Sequence, residues 1–189
     1  MKLKLIKKKS VNSTNDIAIN LIRKKRFKQA LITSLIQKKG RGTMGKRWIS
    51  LKGNLFVSIF FEINKIKINF KKFAILNAYL LRRIISKYSK HRISIKWPND
   101  LLIDNKKVCG ILQEVIEHNN KKFLIIGLGI NTNLSPKIND FKSTFLNDKK
   151  KKNVNNKVLK DIKKVYEKFI NDIKKYNYTE LKKNELSRW

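Results

Sequence analysis

The chain has 189 residues, 41% of them hydrophobic, which is enough for one domain with a sizeable core. Its formal net charge is +33, but Lys is spread along the whole chain among many Asn and Ile residues. An AT-rich coding bias explains that pattern better than a dedicated polyanion surface, so nucleic-acid binding is expected to be weak, unspecific and lost with salt. Cys109 is the only cysteine and no apolar run reaches membrane-span length, which excludes an internal disulfide and a transmembrane helix and makes a cytoplasmic location the expectation.

Leu3 to Ile6 has the pattern of a short strand. Ser13-Thr14-Asn15-Asp16 supplies helix-capping side chains, followed by Ile17, Ala18, Leu21 and Ile22 at helical spacing. Ala30 to Ile36 is an apolar run of strand length that leads into Gln37. Asn54 to Phe61 is a second such run. Phe73, Leu76, Leu80, Leu81, Ile84, Ile85 and Tyr88 mark one face of an amphipathic helix. Ile93 and Ile95 alternate with polar neighbours into Lys96, as in a half-buried strand. Val108 to Ile116 and Phe123 to Ile130 form two further strands, with a hairpin turn over His118-Asn119-Asn120-Lys121. Lys149 to Lys152 is a solvated loop, and Val158, Ile162, Val165, Tyr166, Phe169, Ile170 and Ile173 mark a last long helix. Hairpin-linked and helix-separated strands together predict an α+β fold, a mixed sheet with helices packed on it.

Gly40-Arg41-Gly42-Thr43-Met44-Gly45-Lys46-Arg47-Trp48 sets three glycines and three basic residues in one loop. Such a loop exposes backbone N–H groups and positive charge, the makings of a phosphate or carboxylate site. Gln37, just before it, carries an amide suited to a ligand amide or urea; alone, it would be a strand-end cap. Trp97-Pro98-Asn99-Asp100 joins a strand to a turn and offers the Asp100 carboxylate. Lys107 opens the next strand and can hold carboxylate and phosphate as a point charge; it is expected to stand exposed. Gly110, Gly127 and Gly129 lie inside strands, which marks close approach of a ligand or another backbone. Asn131 ends the last of these strands. His91 and His118 fall in predicted loops, and the sequence contains no metal-ligand spacing and no catalytic triad.

In this order and spacing, Ser13-Thr14-Asn15, Gln37, Gly40 to Trp48, Lys96-Trp97-Pro98-Asn99-Asp100, Lys107 to Leu112 and Gly127 to Asn131 resemble the catalytic domain of the biotin protein ligases. The resemblance covers roughly residues 10 to 135, and Leu186 to Trp189 is similar to the segment after the family's last catalytic-domain helix. It implies a class II aminoacyl-tRNA synthetase/biotin synthetase-like fold over 1–189, without a helix-turn-helix domain or a C-terminal β domain. It also implies ATP and biotin as substrates, Mg²⁺, a biotinyl-5′-adenylate intermediate, and transfer to a lysine of the biotin carboxyl carrier protein of acetyl-CoA carboxylase. A monomer or homodimer without a membrane or specific nucleic-acid partner is expected.

Carried over, Lys107, Arg41 and Asp100 would be catalytic. Lys107 would bridge the biotin carboxylate and the α-phosphate, and Asp100 would orient the incoming lysine or a metal ion. Ser13, Thr14, Asn15, Gln37, Gly40, Arg41, Gly42, Thr43, Trp48, Lys107, Gly110 and Asn131 would contact biotin or the adenylate. Thr43 stands where the family usually has Arg. Lipoate or octanoate attachment by the same chemistry is the alternative within the fold, and a basic nucleic-acid-binding protein is a distant one.

Overall fold

The computed structural model describes residues 2–64, 66, 68–137, 141–146, 153–175 and 178–181. The loop expected over Lys149 to Lys152 and the closing Leu186 to Trp189 lie outside them. Its first unit is β1 (Lys4–Val11), α1 (Thr14–Arg23) and β2 (Gln29–Gln37), with β1 and β2 parallel, as a helical crossover requires. Ser13 caps α1: its Oγ accepts from the Asn15 N–H at 3.2 Å. Then come β3 (Leu55–Glu62), α2 (Phe70–Ser86), β4 (Ile93–Lys96), β5 (Asp100–Ile103), β6 (Lys106–His118), β7 (Lys121–Ile130) and α3 (Val154–Asp172).

The strands form one seven-stranded sheet in the order β1-β2-β3-β7-β6-β5-β4. Only the β1–β2 pair is parallel, so the sheet is mixed, as the sequence predicts. One strand differs from expectation. Asp100 does not lie in a turn but opens β5, which pairs with β4 on one side and β6 on the other. At four residues, β5 is too short to show a period. Asp104 and Asn105 then turn the chain with φ of 48° and 59°, and Asn119 and Asn120 turn β6 into β7 with 51° and 58°. Asn and Asp tolerate that left-handed region and favour two-residue hairpins.

Alternation along the strands divides the sheet into two faces. One face carries Val57, Ile59 and Phe61 of β3 and Leu124, Ile126 and Leu128 of β7, all buried under α2 and α3. There Phe73 of α2 meets Phe61 and Phe169 edge-on, and Phe169 meets Tyr166 in the same way. The opposite face carries Ala30, Ile32, Phe60, Phe123 and Ile125, packed against Ala18 and Ile22 of α1. α1 covers only part of that face. Beyond its N-terminus β3 and β7 present Ser58, Gly127 and Gly129, the adjoining β6 presents Gly110 and Glu114, and a cavity opens. Among the described residues no helix is long and apolar enough to cross a membrane.

Candidate active site

The cavity holds about 110 Å³ of water-accessible space. Its lining includes Ser13, Thr14, Asn15, Gln37, Arg41, Gly42, Thr43, Trp48, Lys107, Gly110 and Asn131. The fold therefore gathers five separate motifs around one space. Two of the residues expected at the site lie just outside the lining. Gly40 is buried behind the loop, where its carbonyl accepts from the Trp48 N–H at 3.0 Å. A Cβ there would come within 2.6 Å of both Ser50 Oγ and the Trp48 carbonyl, so only glycine fits. Asp100 lines a wider, cation-rich groove that adjoins the cavity at Trp48 and Lys107.

One end of the cavity is a hydrogen-bonded cluster. Gln37 Oε1 accepts from the Thr14 N–H at 2.8 Å and its hydroxyl at 3.0 Å, while Gln37 Nε2 donates to Ser50 Oγ at 3.1 Å. Ser58, fully buried, donates to Thr14 Oγ1 at 2.7 Å or to Asn15 Oδ1. Asn15 Nδ2 donates to Glu114 Oε2 at 2.6 Å. Apart from Ser50, these groups sit at the buried first turn of α1 or on the strands beneath it. The N–H groups at the start of α1 are drawn into the same cluster: that of Thr14 bonds Gln37 and that of Asn15 bonds Ser13.

The glycine loop is folded back on itself. Gly42 N–H donates to the Lys46 carbonyl at 2.7 Å around a 3₁₀ turn at Thr43–Gly45, with Met44 and Gly45 in the left-handed region. Arg41 does not reach freely into the cavity. Its guanidinium makes two parallel 2.8 Å bonds to Glu114 and a 3.1 Å contact with Asp16. Thr43 Oγ1 accepts from Asn99 Nδ2 at 3.4 Å, joining the loop to the turn before β5.

Trp48 forms the floor. Its indole lies flat on the sheet at Gly110 and Gly129, which face each other across β6 and β7. A Cβ at Gly129 would lie 2.7 Å from Trp48 Nε1, and one at Gly110 would lie 2.8 Å from its ring. Gly127 makes the same room for Asn15, whose Oδ1 would be 2.5 Å from an added Cβ. The close approach that these strand glycines permit is therefore that of site side chains, not of a second backbone.

At the far end of the floor stands Lys107. Its Nζ is 2.7 Å from Asp100 Oδ1, and it lies over the Trp48 and Phe141 rings at 5.5 and 5.3 Å. Its side chain is only 20% exposed, not the free surface Lys expected from sequence. The β5–β6 turn brings Asp100 and Lys107 together, and the backbone of Lys142 to Thr144 pairs alongside Lys107. Asn131 is buried and braced inside the protein: its amide takes a 3.3 Å bond from Asn54 and gives one of 3.1 Å to the Thr144 carbonyl. Burial raises the Cys109 thiol far above its ordinary range, which leaves it protonated and unreactive at neutral pH.

Sequence motifs alone did not single out Glu114, Ser58 or Phe141. Ser58 stands out as the one polar residue in Leu55-Phe56-Val57-Ser58-Ile59-Phe60-Phe61, and Glu114 lies two alternations beyond Gly110 on the same face.

The family model of the biotin/lipoate A/B protein ligases matches residues 8–131. The chain belongs to that family. It is 33% identical over 133 residues to the bifunctional ligase/repressor BirA of Bacillus subtilis (strain 168), a match covering 69% of this chain and 40% of the relative. The chain therefore spans about two fifths of the length of the curated relatives it matches. Among solved structures, biotin protein ligase from Aquifex aeolicus in complex with biotin and ATP superposes with a TM-score of 0.79 at 26% identity, over 96% of this chain and 76% of that one. The Leishmania major biotin protein ligase in complex with biotinyl-5-AMP shares the fold, with a TM-score of 0.77 at 20% identity over 97% and 80% of the two chains.

Proposed function

We propose that this protein is a biotin protein ligase that activates biotin with ATP and passes it to a lysine of a biotin carboxyl carrier protein. One observation carries the proposal: a polar cluster and the Lys107 ammonium both line one cavity floored by the Trp48 indole. Ser13, Thr14, Asn15 and Gln37 offer hydroxyl and amide groups to a urea ring. Trp48 offers a flat surface to the rest of the acid. Lys107 receives the carboxylate. The relatives named above, with biotin, ATP and biotinyl-5-AMP in their complexes, support the same substrates.

In the first step a biotin carboxylate oxygen attacks the α-phosphorus of ATP, an O–P bond forms, and pyrophosphate leaves with the electrons of the bond that breaks. Lys107 stabilises the charge that gathers between carboxylate and α-phosphate. In the second step the neutral amine of the carrier lysine attacks the mixed anhydride carbonyl and AMP leaves. Asp100, beside Lys107 and lining the open groove, would orient that amine and accept its proton. Among the described residues no group of three or more acidic, His or Cys side chains is arranged around a metal. A single carboxylate fits an Mg²⁺ ion held chiefly by nucleotide phosphates and water, and Asp100 is the residue that would hold it.

The test is direct. Purified protein with ATP, Mg²⁺ and biotin should yield biotinyl-5′-AMP by mass spectrometry and then label one lysine of a biotin carboxyl carrier domain. Labelling with lipoate or octanoate but not biotin would overturn the proposal.

A further inference from the structure

Glu114 binds side chains from two separate walls of the cavity. Its Oε1 accepts from Arg41 Nη1 at 2.8 Å; its Oε2 accepts from Arg41 Nη2 at 2.8 Å and from Asn15 Nδ2 at 2.6 Å. Arg41 belongs to the glycine loop and Asn15 to the first turn of α1. Both are thus tied to β6 through one carboxylate that is three-quarters buried.

The two ties act differently. An ionised carboxylate only accepts hydrogen bonds, so it selects the NH₂ end of the Asn15 amide. That choice turns Oδ1 towards Ser58 and over Gly127, where an added Cβ would leave it no space. The donor and acceptor pattern at the polar end of the cavity is therefore fixed by a charge outside the cluster itself. For Arg41, the planar guanidinium meets the carboxylate in a two-bond fork, which sets its orientation as well as its distance. Asp16 adds a second carboxylate to the same guanidinium. Arg41 is thereby an anchor that holds the glycine loop at one height above β6, and Lys107, over the Trp48 floor, is a cation that can meet a ligand carboxylate.

We propose that Glu114 is a positioning residue of the acid-substrate site: it sets the Asn15 amide and holds the glycine loop in register with the sheet. This rests on the ligase function proposed above. It separates the two substrates, because Asn15 and the loop face the acid, whereas the nucleotide phosphates belong near Lys107 and the cationic groove. Glu114→Gln keeps the shape of the side chain. It removes the charge that selects the Asn15 orientation and halves the fork to Arg41.

The experiment measures adenylate formation by the wild-type chain, Glu114→Gln, Glu114→Ala, Arg41→Ala and the Glu114→Ala/Arg41→Ala double variant, with KM for biotin and for ATP determined separately. Glu114→Gln should raise KM for biotin by at least about tenfold, since small misplacements of positioning groups carry penalties of that order or more. KM for ATP should stay near its wild-type value. Glu114→Ala should cost much less in the Arg41→Ala background than alone, because the two side chains act as one unit. An unchanged KM for biotin in Glu114→Gln, an equal rise in both KM values, or a fall in kcat that only tracks lost folded protein overturns the role of Glu114. Absence of adenylate with the wild-type chain overturns instead the function on which that role rests.

Discussion

The two faces of the sheet are built from the same strands and obey opposite rules. Under α2 and α3, alternate residues are large and apolar: Val57, Ile59 and Phe61 on β3, and Leu124, Ile126 and Leu128 on β7. On the reverse, the intervening positions near the cavity are Ser58, Gly127 and Gly129, small or polar, with the Trp48 indole laid over Gly129 and the Asn15 amide over Gly127. The first face buries apolar area and excludes water. The second gives up that area to seat an indole, an amide and the ion pairs of Arg41 and Lys107. Stability and chemistry are thus separated by one step along a strand, and substitutions on the two faces should separate in the same way.

The largest expected effect is on the apolar face. Phe73 is 1% exposed and lies between Phe61 and Phe169. Phe73→Ala should lower unfolding free energy by about 3–5 kcal/mol, through lost transfer energy and the cavity left behind. Denaturant titration measures this. The folded fraction should keep its KM for biotin; a changed KM would show that the faces are not independent.

Lys107→Ala comes next and tests the site face. Loss of one preorganised electrostatic contact in a transition state costs about 10²–10³ in rate, so adenylate formation should fall by that order. Lys106, the exposed neighbour, should tolerate alanine. Because Lys107 is largely buried and paired with Asp100, the melting temperature should also drop, since an uncompensated carboxylate remains. The Asp100→Ala/Lys107→Ala double variant should recover stability without recovering activity. Loss of activity and stability in strict proportion would count against a chemical role for Lys107.

Gly129→Ala puts a methyl group on the site face, next to Leu128 on the other. The added carbon would meet the indole of Trp48. Overpacking of this kind costs about 1–3 kcal/mol, at the low end where the neighbour can move, and Trp48 is only partly buried. Binding of biotin should weaken more than folding. Calorimetry of ligand binding beside a thermal melt separates the two, and equal losses would mean that Trp48 is a core residue and not a floor.

What the sequence made legible follows the same division. Helices with a buried stripe were readable, α2 most clearly, because packing enforces the 3.6-residue period. So were the Ser13 cap and the long strands. The motif residues were readable as chemistry because glycines and charges at fixed spacing have few other uses. Glu114 was not, since a carboxylate on a strand looks like solvent-facing alternation until the loop folds over it. Lys107 was misjudged as exposed for a related reason. Its burial depends on Asp100, and their meeting depends on β5, a strand too short to leave a pattern.

The smallest prediction lies far from the cavity, where β1 meets α3. Glu167 Oε1 accepts from the Leu3 N–H at 2.7 Å and pairs with Lys163 one helical turn away. Partial burial alone would raise its pKa, but the Lys163 and Leu3 hydrogen bonds outweigh it and hold the carboxyl below its ordinary value. The sign follows from linkage. The unfolded chain binds this proton more readily than the folded one, so the carboxylate stabilises the fold above its unfolded value, ~4.3. That contribution is lost as pH falls through the lower folded value. Glu167→Gln should therefore lower the melting temperature slightly at pH 7, by less than a core substitution, and the difference from wild type should shrink under strongly acidic conditions. Adenylation kinetics should not change. A difference that persists unaltered into acid would mean that Glu167 acts by packing, and that the tie between β1 and α3 is not electrostatic.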